Sequence, residues 1–156
     1  DTMDLWIRNE RPRLIGVIRR VDLLLINDSE ARLLSGRQNV VSAARDILKM
    51  GPDYLVVKRG EYGAVLFSKR GICMVPAYPV ENVKDPTGAG DTFAGGFMGA
   101  LAMGGLVSPR AVRSAMMHGS VMASFDVESF GVERLASLKK HEFERRMASF
   151  RRMISF

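Results

Sequence analysis

Short, continuous apolar runs alternate along this chain with segments whose apolar residues recur at helical spacing. The run VDLLLIN (21–27) and the later run DYLVVKRG (53–60) have the pattern of strands that are buried on both faces. The segment AVLFSKRGICMVPA (64–77) has two β-prone runs around a polar turn that contains glycine, which predicts a hairpin. These runs are the predicted strands.

Two helices are predicted between the first two strands. The segment DSEARLLSG (28–36) predicts a short helix that is capped by Asp28 or Ser29 and ended by Gly36. The segment NVVSAARDILKMG (39–51) has apolar residues at helical spacing and also stops at a glycine. Each predicted helix therefore connects to a strand by a short loop.

The second half of the chain is predicted to be helical. Three helices are expected, from Asp91 to Met103, from Pro109 to Asp126, and from Val132 towards the C-terminus. Pro109 suits a first helical turn, and Ser108 is a suitable cap before it. Alternating strands and helices with apolar strands predict an α/β fold, in which helices cover a sheet.

The composition is that of a soluble globular protein rather than a disordered one. Of the 156 residues, 47% are hydrophobic and 26% are charged. The apolar runs stop well short of the roughly 20 residues that a membrane span needs, and no segment has the pattern of a signal peptide. The single cysteine, Cys73, cannot form an internal disulfide. These features predict a cytoplasmic protein with no membrane association.

The formal net charge of +6 leaves nucleotides and nucleic acids open as partners. Much of the excess lies in the segment LKKHEFERRMASFRRMISF (138–156), where basic and acidic residues alternate. This pattern favours a solvated amphipathic helix, and no basic ladder interleaved with aromatic residues accompanies it. We therefore expect a small-molecule partner and no nucleic acid.

The most informative stretch is DPTGAGDTFAGGF (85–97), where a glycine-rich turn leads directly into an apolar helix. A helix N-terminus binds anions through unpaired N–H groups, and Gly88 and Gly90 would let the backbone approach a phosphate. The P-loop pattern fails here because no Lys-Ser or Lys-Thr pair follows, and the dinucleotide pattern fails at Phe93.

Asp91 lies in the first turn of this helix, where the helix dipole favours an ionised carboxylate. Beside a bound phosphate it could accept the proton of an attacking hydroxyl, while the N–H groups of Ala89, Gly90 and Asp91 stabilise the transferred phosphoryl group. The alternative is a capping aspartate on a tightly packed, glycine-rich helix.

The 85–97 stretch resembles the second signature of the PfkB, or ribokinase-like, family of carbohydrate and nucleoside kinases. Three further segments resemble family elements in the same order: INDSEARLL (26–34), LVVKRGEYGAVLF (55–67) and GSVMASFDVESFG (119–131). The resemblance covers nearly the whole chain, and four segments in register make it specific.

The resemblance implies a three-layer α/β/α sandwich with a mainly parallel central sheet, of which only the C-terminal part is present. It also implies ATP-dependent phosphorylation of a hydroxyl on a sugar or nucleoside, with Mg²⁺ as cofactor. Asp91 would be the catalytic base, and Gly88, Ala89 and Gly90 would form the anion hole. Both residue types and spacing agree with the chemistry argued above for this turn.

The same resemblance assigns nucleotide contacts. Asn27 and Glu30 would help to place Mg²⁺ through water, as suits its hydrated habit; the alternative is a helix cap and a solvent-facing helix residue. Lys58, Gly60 and Gly63 would border the nucleotide, although Lys58 alone is more often a charge at a strand end.

Three further residues are assigned by position. Thr87 would border the nucleotide, and Asp85 with Thr87 would contribute to a monovalent-cation site, with K⁺ as the candidate ion; turn chemistry around Pro86 is the alternative. His118 would line the adenine pocket, where the family commonly has asparagine, and a packed helix histidine is the alternative.

Family members are much longer than this chain, and their N-terminal half supplies most acceptor contacts and the lid. Residues 1–156 are therefore predicted to be the C-terminal, nucleotide-binding part of a single kinase domain. The competing hypothesis is a truncated, non-catalytic nucleotide-binding fragment. The resemblance also allows a homodimer of the complete protein, and the sequence does not name the acceptor.

Overall fold

The computed structural model describes residues 2–105 and 107–155, which form two compact units. The first unit comprises the described residues of Asp1–Arg59 and Ala64–Met74, and the second those of Gly60–Gly63 and Val75–Phe156. The first unit contains the strands except Val75, the last strand residue, and the second is built mainly of helices.

A four-stranded sheet in the order β1-β2-β3-β4 dominates the first part of the chain. Its elements, in chain order, are α1 (Asp4–Asn9), α2 (Arg11–Ile18), β1 (Leu23–Asn27), α3 (Asp28–Ser35), α4 (Val40–Leu48), β2 (Tyr54–Lys58), β3 (Ala64–Ser68) and β4 (Gly71–Val75). The predicted strands, the hairpin and the α/β class are confirmed. The two N-terminal helices, α1 and α2, were not predicted.

The sheet is mixed over the strands of this chain, whereas a mainly parallel sheet was expected. Strands β1 and β2 pair in parallel, from Leu23 opposite Tyr54 to Asn27 opposite Lys58. Strand β3 then pairs antiparallel with β2, because a tight hairpin-like connection returns the chain beside it. The parallel pair thus places the ends of β1 and β2 at one edge of the sheet.

Burial explains why the strand sequences are continuously apolar. The three middle residues of β1 and of β2 are all buried, so both faces of these strands lie in a core. Helices α3 and α4 contribute buried side chains to the same core. Its members include the following residues: Ile7, Ile18, Leu24, Ile26, Leu34, Ile47, Leu55, Val57 and Phe67.

The N-cap of α3 differs from the prediction. Asn27, and neither Asp28 nor Ser29, is the cap, since its Oδ1 accepts a hydrogen bond from the Glu30 N–H at 2.8 Å. Asn27 is the last extended residue of β1, so it is the residue that precedes the first helical turn. The predicted end of α3 at Gly36 is confirmed by its left-handed φ of 72°.

The second unit is mainly helical. Its helices are α5 (Ala89–Gly104), α6 (Pro109–Asp126), α7 (Glu133–Ser137) and α8 (Lys140–Met153), and a 3₁₀ turn covers Gly60–Tyr62. The predictions for α5 and α6 are confirmed, including the Ser108 cap, whose Oγ accepts from the Ala111 N–H at 3.1 Å. The third predicted helix is interrupted at Leu138, which has an extended backbone, and is therefore two helices.

Glycines permit the close packing of α5 on α6. A Cβ on Gly96 would lie 2.7 Å from Met122 Cγ, and one on Gly119 would lie 2.8 Å from the Phe93 carbonyl oxygen. Both distances are shorter than the contact distances of real Cβ atoms, so these positions require glycine. Part of the glycine density in the 85–97 stretch and its partner helix is therefore a packing requirement.

Two arginines tie α7 and α8 to the end of α6. The guanidinium carbons of Arg146 and Arg134 lie 3.5 Å and 4.9 Å from the centroid of the Phe125 ring. Arg134 also donates to Glu142 at 2.7 Å, and both arginines pair with Glu128. The charge pattern of residues 138–156 had suggested that all of their polar side chains are solvated. Instead, Arg146 and Glu142 make contacts within the protein.

The Arg134–Glu142 pair predicts acid sensitivity. The hydrogen bond from Arg134, followed by that from the Lys139 N–H, lowers the pKa of Glu142 from 4.5 to about 2. Because the pKa is lower in the folded state, the stabilisation is complete above the unfolded value and is lost as the pH falls from 4.5 towards about 2. The free energy of unfolding of the wild type should therefore converge on that of Glu142→Gln at the low end of this range.

Urea titrations at several pH values measure this convergence. Glu144→Gln is the control, because its pair with Lys140 is long, at 3.7 Å, and both side chains are well exposed. A constant difference between the wild type and Glu142→Gln at every pH would contradict the role assigned to the pair.

The helices of the described residues are too short or too polar to act as membrane spans. None of those within 2–105 and 107–155 is long and apolar enough to cross a bilayer.

Candidate active site

The N-terminus of α5 forms an open, glycine-lined turn. Gly88 is the N-cap with a left-handed φ of 88°, and no side chain caps this helix end. Gly88, Gly90 and Asp91 are all exposed to solvent. Of the predicted donors, the Ala89 N–H is engaged with the Pro86 carbonyl oxygen at 3.2 Å in this conformation. The turn thus combines the positive end of the α5 helix dipole, an accessible backbone and one exposed carboxylate.

Asp85 forms the turn that precedes this helix. Its Oδ1 accepts a hydrogen bond from the Thr87 N–H at 2.9 Å, and this bond is the main cause that holds the pKa of Asp85 below its usual value. The turn chemistry named as the alternative is therefore present. The N–H groups of Lys84 and Asp85 also approach the Val127 carbonyl oxygen, at 2.8 Å and 3.4 Å, which holds this segment against the end of α6.

The sequence interpretation did not include Asp126, the last residue of α6. Its side chain is 3% exposed, and its Oδ2 has no hydrogen-bond partner among the residues that the structure describes. A Cβ on Gly88 would lie 3.4 Å from this oxygen, so the carboxyl group lies directly beside the glycine turn. Burial raises the pKa of Asp126, a hydrogen bond with Thr92 opposes the rise, and repulsion from Asp85 and Asp91 adds to it.

One sequence signal could have drawn attention to Asp126. An acidic residue in the last turn of a helix faces the negative end of the helix dipole, which disfavours its charged form. The surrounding residues, MASFDV (122–127), are apolar apart from Ser124. An acid at that position therefore needs a specific reason, although sequence alone does not show that the position is buried.

In the first unit, the structure brings Asn27, Glu30 and Lys58 together. Asn27 and Lys58 are register partners at the ends of β1 and β2. Asn27 and Glu30 form a reciprocal capping box, in which Glu30 Oε2 accepts from the Asn27 N–H at 2.8 Å. The cap role named as the alternative for Asn27 is thus present, whereas Glu30 is only 6% exposed and does not face solvent.

The electrostatics of Glu30 are set by opposing effects. Burial raises the pKa of its carboxyl group, while the Asn27 N–H and the positive charge of Lys58 lower it. The capping box uses only Oε2, so Oε1 lies outside it. Together these residues form a partly buried group of oxygen atoms next to one lysine.

Gly60 and Gly63 lie in the 3₁₀ turn and directly after it, and both have left-handed φ values, 56° and 85°. A Cβ on Gly63 would lie 2.2 Å from the Val75 carbonyl oxygen. The local backbone conformation therefore explains why glycine is present at both positions, apart from any contact with a nucleotide.

Gly63→Ala should destabilise the protein strongly, because it combines backbone strain with a collision against backbone atoms. The strain alone costs about 1–2 kcal/mol, and the collision adds to it. Gly16→Ala is the control: Gly16 lies within α2 with open space around it, so this change should stabilise by about 0.5–1 kcal/mol. Chemical unfolding of both variants measures the difference, and a Gly63→Ala variant as stable as the wild type would contradict the left-handed, tightly packed conformation at Gly63.

His118 lies in a groove of about 890 Å³ in the second unit. Its Nδ1 is 2.9 Å from the Ser114 carbonyl oxygen, and its ring centroid is 5.7 Å from that of Phe143. Met122 and glycines of α5 also line this groove. The packed-histidine alternative therefore describes the contacts of His118, and the residue also lines the groove.

In the described part of the chain, side chains alone do not form a metal centre. Among the described residues, no group of three or more His, Cys, Asp or Glu is positioned to hold a metal ion. A bound divalent ion would need water or ligand oxygens to complete its coordination.

Comparison with known proteins decides the family. The model of the pfkB family carbohydrate kinases matches residues 5–136. The chain belongs to this family. Its sequence is 36% identical over 96 residues to the cytidine kinase of Thermococcus kodakarensis, an alignment that covers 60% of this chain and 34% of that protein.

Solved structures show the same fold. Aminoimidazole riboside kinase from Salmonella enterica, complexed with aminoimidazole riboside and an ATP analogue, superposes with a TM-score of 0.79 at 22% identity, over 89% of this chain and 46% of that one. A ribokinase II from E. coli in complex with ATP and Mg²⁺ gives a TM-score of 0.77 at 27% identity, over 93% and 45%. The ribokinase-like fold is therefore confirmed.

This pfkB-family chain matches only part of each relative, and the family match covers only part of the chain. This chain spans about a third of the length of its curated relative and about half of the solved structures. The family match includes β1 to β4, α5 and α6, and it ends at residue 136, before α8 begins. The candidate residues at both strand ends and at the α5 turn all lie within the match.

Proposed function

We propose that this pfkB-family chain is the C-terminal, nucleotide-binding part of a kinase domain that transfers a phosphoryl group from ATP to a hydroxyl of a sugar or nucleoside. The observation that carries the proposal is the α5 turn, where exposed Asp91 follows the left-handed Gly88 at an uncapped helix N-terminus. Family membership and kinase relatives support the same activity.

In the proposed reaction, Asp91 is the general base. Its carboxylate takes the proton of the acceptor hydroxyl as that oxygen bonds to the γ-phosphorus and the bond to the ADP oxygen breaks. The backbone of Gly88, Ala89, Gly90 and Asp91 forms the anion hole, where N–H dipoles and the α5 dipole stabilise the charge on the transferred group. Ala89 joins as a donor only if its bond to Pro86 opens.

Mg²⁺ is the proposed cofactor, and when bound it would neutralise phosphate charge. Asn27 and Glu30 supply side-chain oxygen atoms but do not form a complete set of metal ligands. They therefore fit an indirect role, because Mg²⁺ usually keeps several of its waters when it binds to a protein. Glu30 Oε1, which the capping box does not use, is the atom proposed to hold a magnesium-bound water.

The remaining nucleotide contacts are proposals by position. Lys58, Gly60, Gly63 and Thr87 are proposed to border the phosphates and ribose. His118 is proposed to line the adenine site, and the open groove beside its ring supports this assignment. Asp85, with Thr87, is proposed to contribute to a monovalent-cation site, with K⁺ as the candidate ion.

Acceptor binding, a lid and homodimerisation are proposed for the complete protein, of which this chain would be the nucleotide side. A cytoplasmic location also stays a prediction. The second candidate function is nucleotide binding without catalysis, and the observation that favours it is that the chain spans 34% of its curated relative. Positioning supplies most of the rate of a phosphotransferase, so an absent acceptor pocket would abolish turnover.

A coupled assay of ADP release with Mg-ATP and a panel of sugars and nucleosides tests the proposal. It is run on this chain and on a fusion that adds the N-terminal region of the Thermococcus kodakarensis cytidine kinase. Acceptor-dependent ADP release by the fusion supports the kinase proposal, and ATP-analogue binding by the chain without turnover supports the second function. A folded fusion that neither binds the analogue nor releases ADP would contradict both.

A further inference from the structure

The α5 turn is reached through a connection, residues 76–88, that has no helix or strand. Connections of this length are usually either functional or mobile. The proposed catalysis at the Gly88–Asp91 turn depends on donors and a carboxylate that are in place before the reaction begins. Contacts elsewhere in the second unit must therefore fix this connection.

Both ends of the connection are hydrogen-bonded to α6 or to the residue that follows it. At the start, the Pro76 carbonyl oxygen accepts a hydrogen bond from Ser120 Oγ at 3.0 Å. At the other end, the N–H groups of Lys84 and Asp85 approach the Val127 carbonyl oxygen, at 2.8 Å and 3.4 Å. Because Val127 directly follows the last residue of α6, the position of the turn depends on how firmly this helix end is held.

Arg146, in α8, holds the end of α6. Its guanidinium carbon lies 3.5 Å from the centroid of the Phe125 ring, and its N–H groups donate to Ser124 Oγ at 3.0 Å and to Glu128 Oε1 at 2.5 Å. Phe125 and Glu128 precede and follow Val127 in the chain. The side chain of Arg146 is 17% exposed, so these contacts are largely shielded from water.

The same guanidinium group also contacts the connection itself. Its carbon lies 5.1 Å from the centroid of the Tyr78 ring. Tyr78 in turn packs edge-on against Phe150 of α8, with the ring centroids 5.8 Å apart. Arg146 therefore joins the start of the connection to the helix end that binds its other end.

We propose that Arg146 is a positioning residue for phosphoryl transfer, which fixes the connection 76–88 at both ends and thereby holds the Gly88–Asp91 turn in its reactive geometry. This inference rests on the proposed kinase function and gives it a residue beyond the family match, which ends at residue 136. Small misplacements that originate away from the chemistry lower the rate of an enzyme strongly. The loss of Arg146 should therefore affect the rate of transfer more than the affinity for nucleotide.

Lysine is the informative substitution for Arg146, because it keeps the positive charge and loses the planar group that stacks on rings and donates several bonds at once. In the fusion protein, Arg146→Lys should lower kcat by about 10- to 100-fold and change KM for Mg-ATP by about twofold or less.

Arg134→Lys is the matched control, since Arg134 also packs on Phe125 and donates to Glu128. Among the described residues, no hydrogen bond or ring contact of Arg134 reaches the connection. Its substitution should therefore lower the free energy of unfolding and leave kcat near the wild-type value.

Hydrogen exchange of the chain itself, without nucleotide or acceptor, gives a second readout. The Lys84 and Thr92 N–H groups, each hydrogen-bonded at 2.8 Å, lie at the end of the connection and in the first turn of α5. Their exchange should become roughly fivefold faster or more in Arg146→Lys, because local opening becomes easier. In Arg134→Lys it should stay near the wild-type rate.

Tyr78→Leu removes the same contact from the side of the connection and covers the case in which Arg146→Lys does not fold. It should reproduce the faster exchange and the lower kcat. Equal changes of kcat or of exchange in Arg146→Lys and Arg134→Lys would overturn the proposal, and so would wild-type values in Tyr78→Leu. If the wild-type fusion shows no turnover, the proposed function fails, while the exchange rates still decide whether Arg146 fixes the connection.

Discussion

Asp91→Asn should abolish most of the phosphoryl transfer and leave the fold intact. Removal of a general base typically lowers the rate by about 10²- to 10⁴-fold, and the amide keeps the size of the side chain while losing its ability to accept the proton. Because Asp91 is exposed, no packing is lost. Affinity for a non-hydrolysable ATP analogue should be kept or improved, since a negative charge next to the phosphates is removed.

Steady-state turnover of the fusion protein, together with calorimetric titration of the ATP analogue, separates these effects. Asp53→Asn is the matched control, since it makes the same chemical change at an exposed pair with Lys69 in the other unit. An Asp91→Asn variant that keeps most of the wild-type turnover would show that another group accepts the proton.

Among the substitutions considered, Phe125→Ala should produce the largest decrease in the free energy of unfolding. Phe125 is 1% exposed, and truncation of a buried phenylalanine costs about 3–5 kcal/mol. Two guanidinium groups, those of Arg134 and Arg146, also lose the ring against which they pack, and each such contact contributes about 0.5–2 kcal/mol when it is partly desolvated. The variant should therefore loosen the connection of α6 with α7 and α8.

Urea unfolding of the variants measures this loss. Phe130→Ala, five residues further on, is the control, because the side chain of Phe130 is 67% exposed and its removal should change stability by about 0.5 kcal/mol or less. Equal effects of the two substitutions would contradict the assignment of Phe125 to the core.

Periodicity and propensity predicted most of the fold. The strands β1 and β2 were visible as continuous apolar runs because both of their faces are buried. Ser108 and Pro109 gave the start of α6, since cap and first-turn preferences are local. Local rules could not decide among Asn27, Asp28 and Ser29 as the cap of α3, because all three residues are suitable and the end of β1 makes the choice.

The parts that sequence did not predict depend on tertiary packing. The break between α7 and α8 at Leu138 lies in a segment with continuous helical spacing. Arg146 packs on Phe125, which lies 21 residues earlier in the chain, so the charge pattern of residues 138–156 alone suggested a solvated side chain.

The candidate site also has some residues that local sequence predicts and others that depend on tertiary packing. The Gly88–Asp91 turn could be predicted as a candidate because its glycines and its carboxylate are adjacent in sequence. Asn27 and Glu30 were identified as well, but their reciprocal hydrogen bonds show a structural role that the motif did not distinguish from a functional one. Asp126 was missed because its burial and its approach to Gly88 exist only in the folded chain.

Phosphorus-31 NMR of the fusion protein with Mg-ATP and an acceptor tests the proposed phosphotransferase activity most directly, because it identifies the product and not only ADP. The prediction is a new phosphomonoester resonance on a sugar or nucleoside hydroxyl, which grows with the wild type and stays near background with Asp91→Asn. Conversion of ATP to inorganic phosphate alone, or the same phosphomonoester at the same rate with Asp91→Asn, would contradict the proposed role of the Gly88–Asp91 turn.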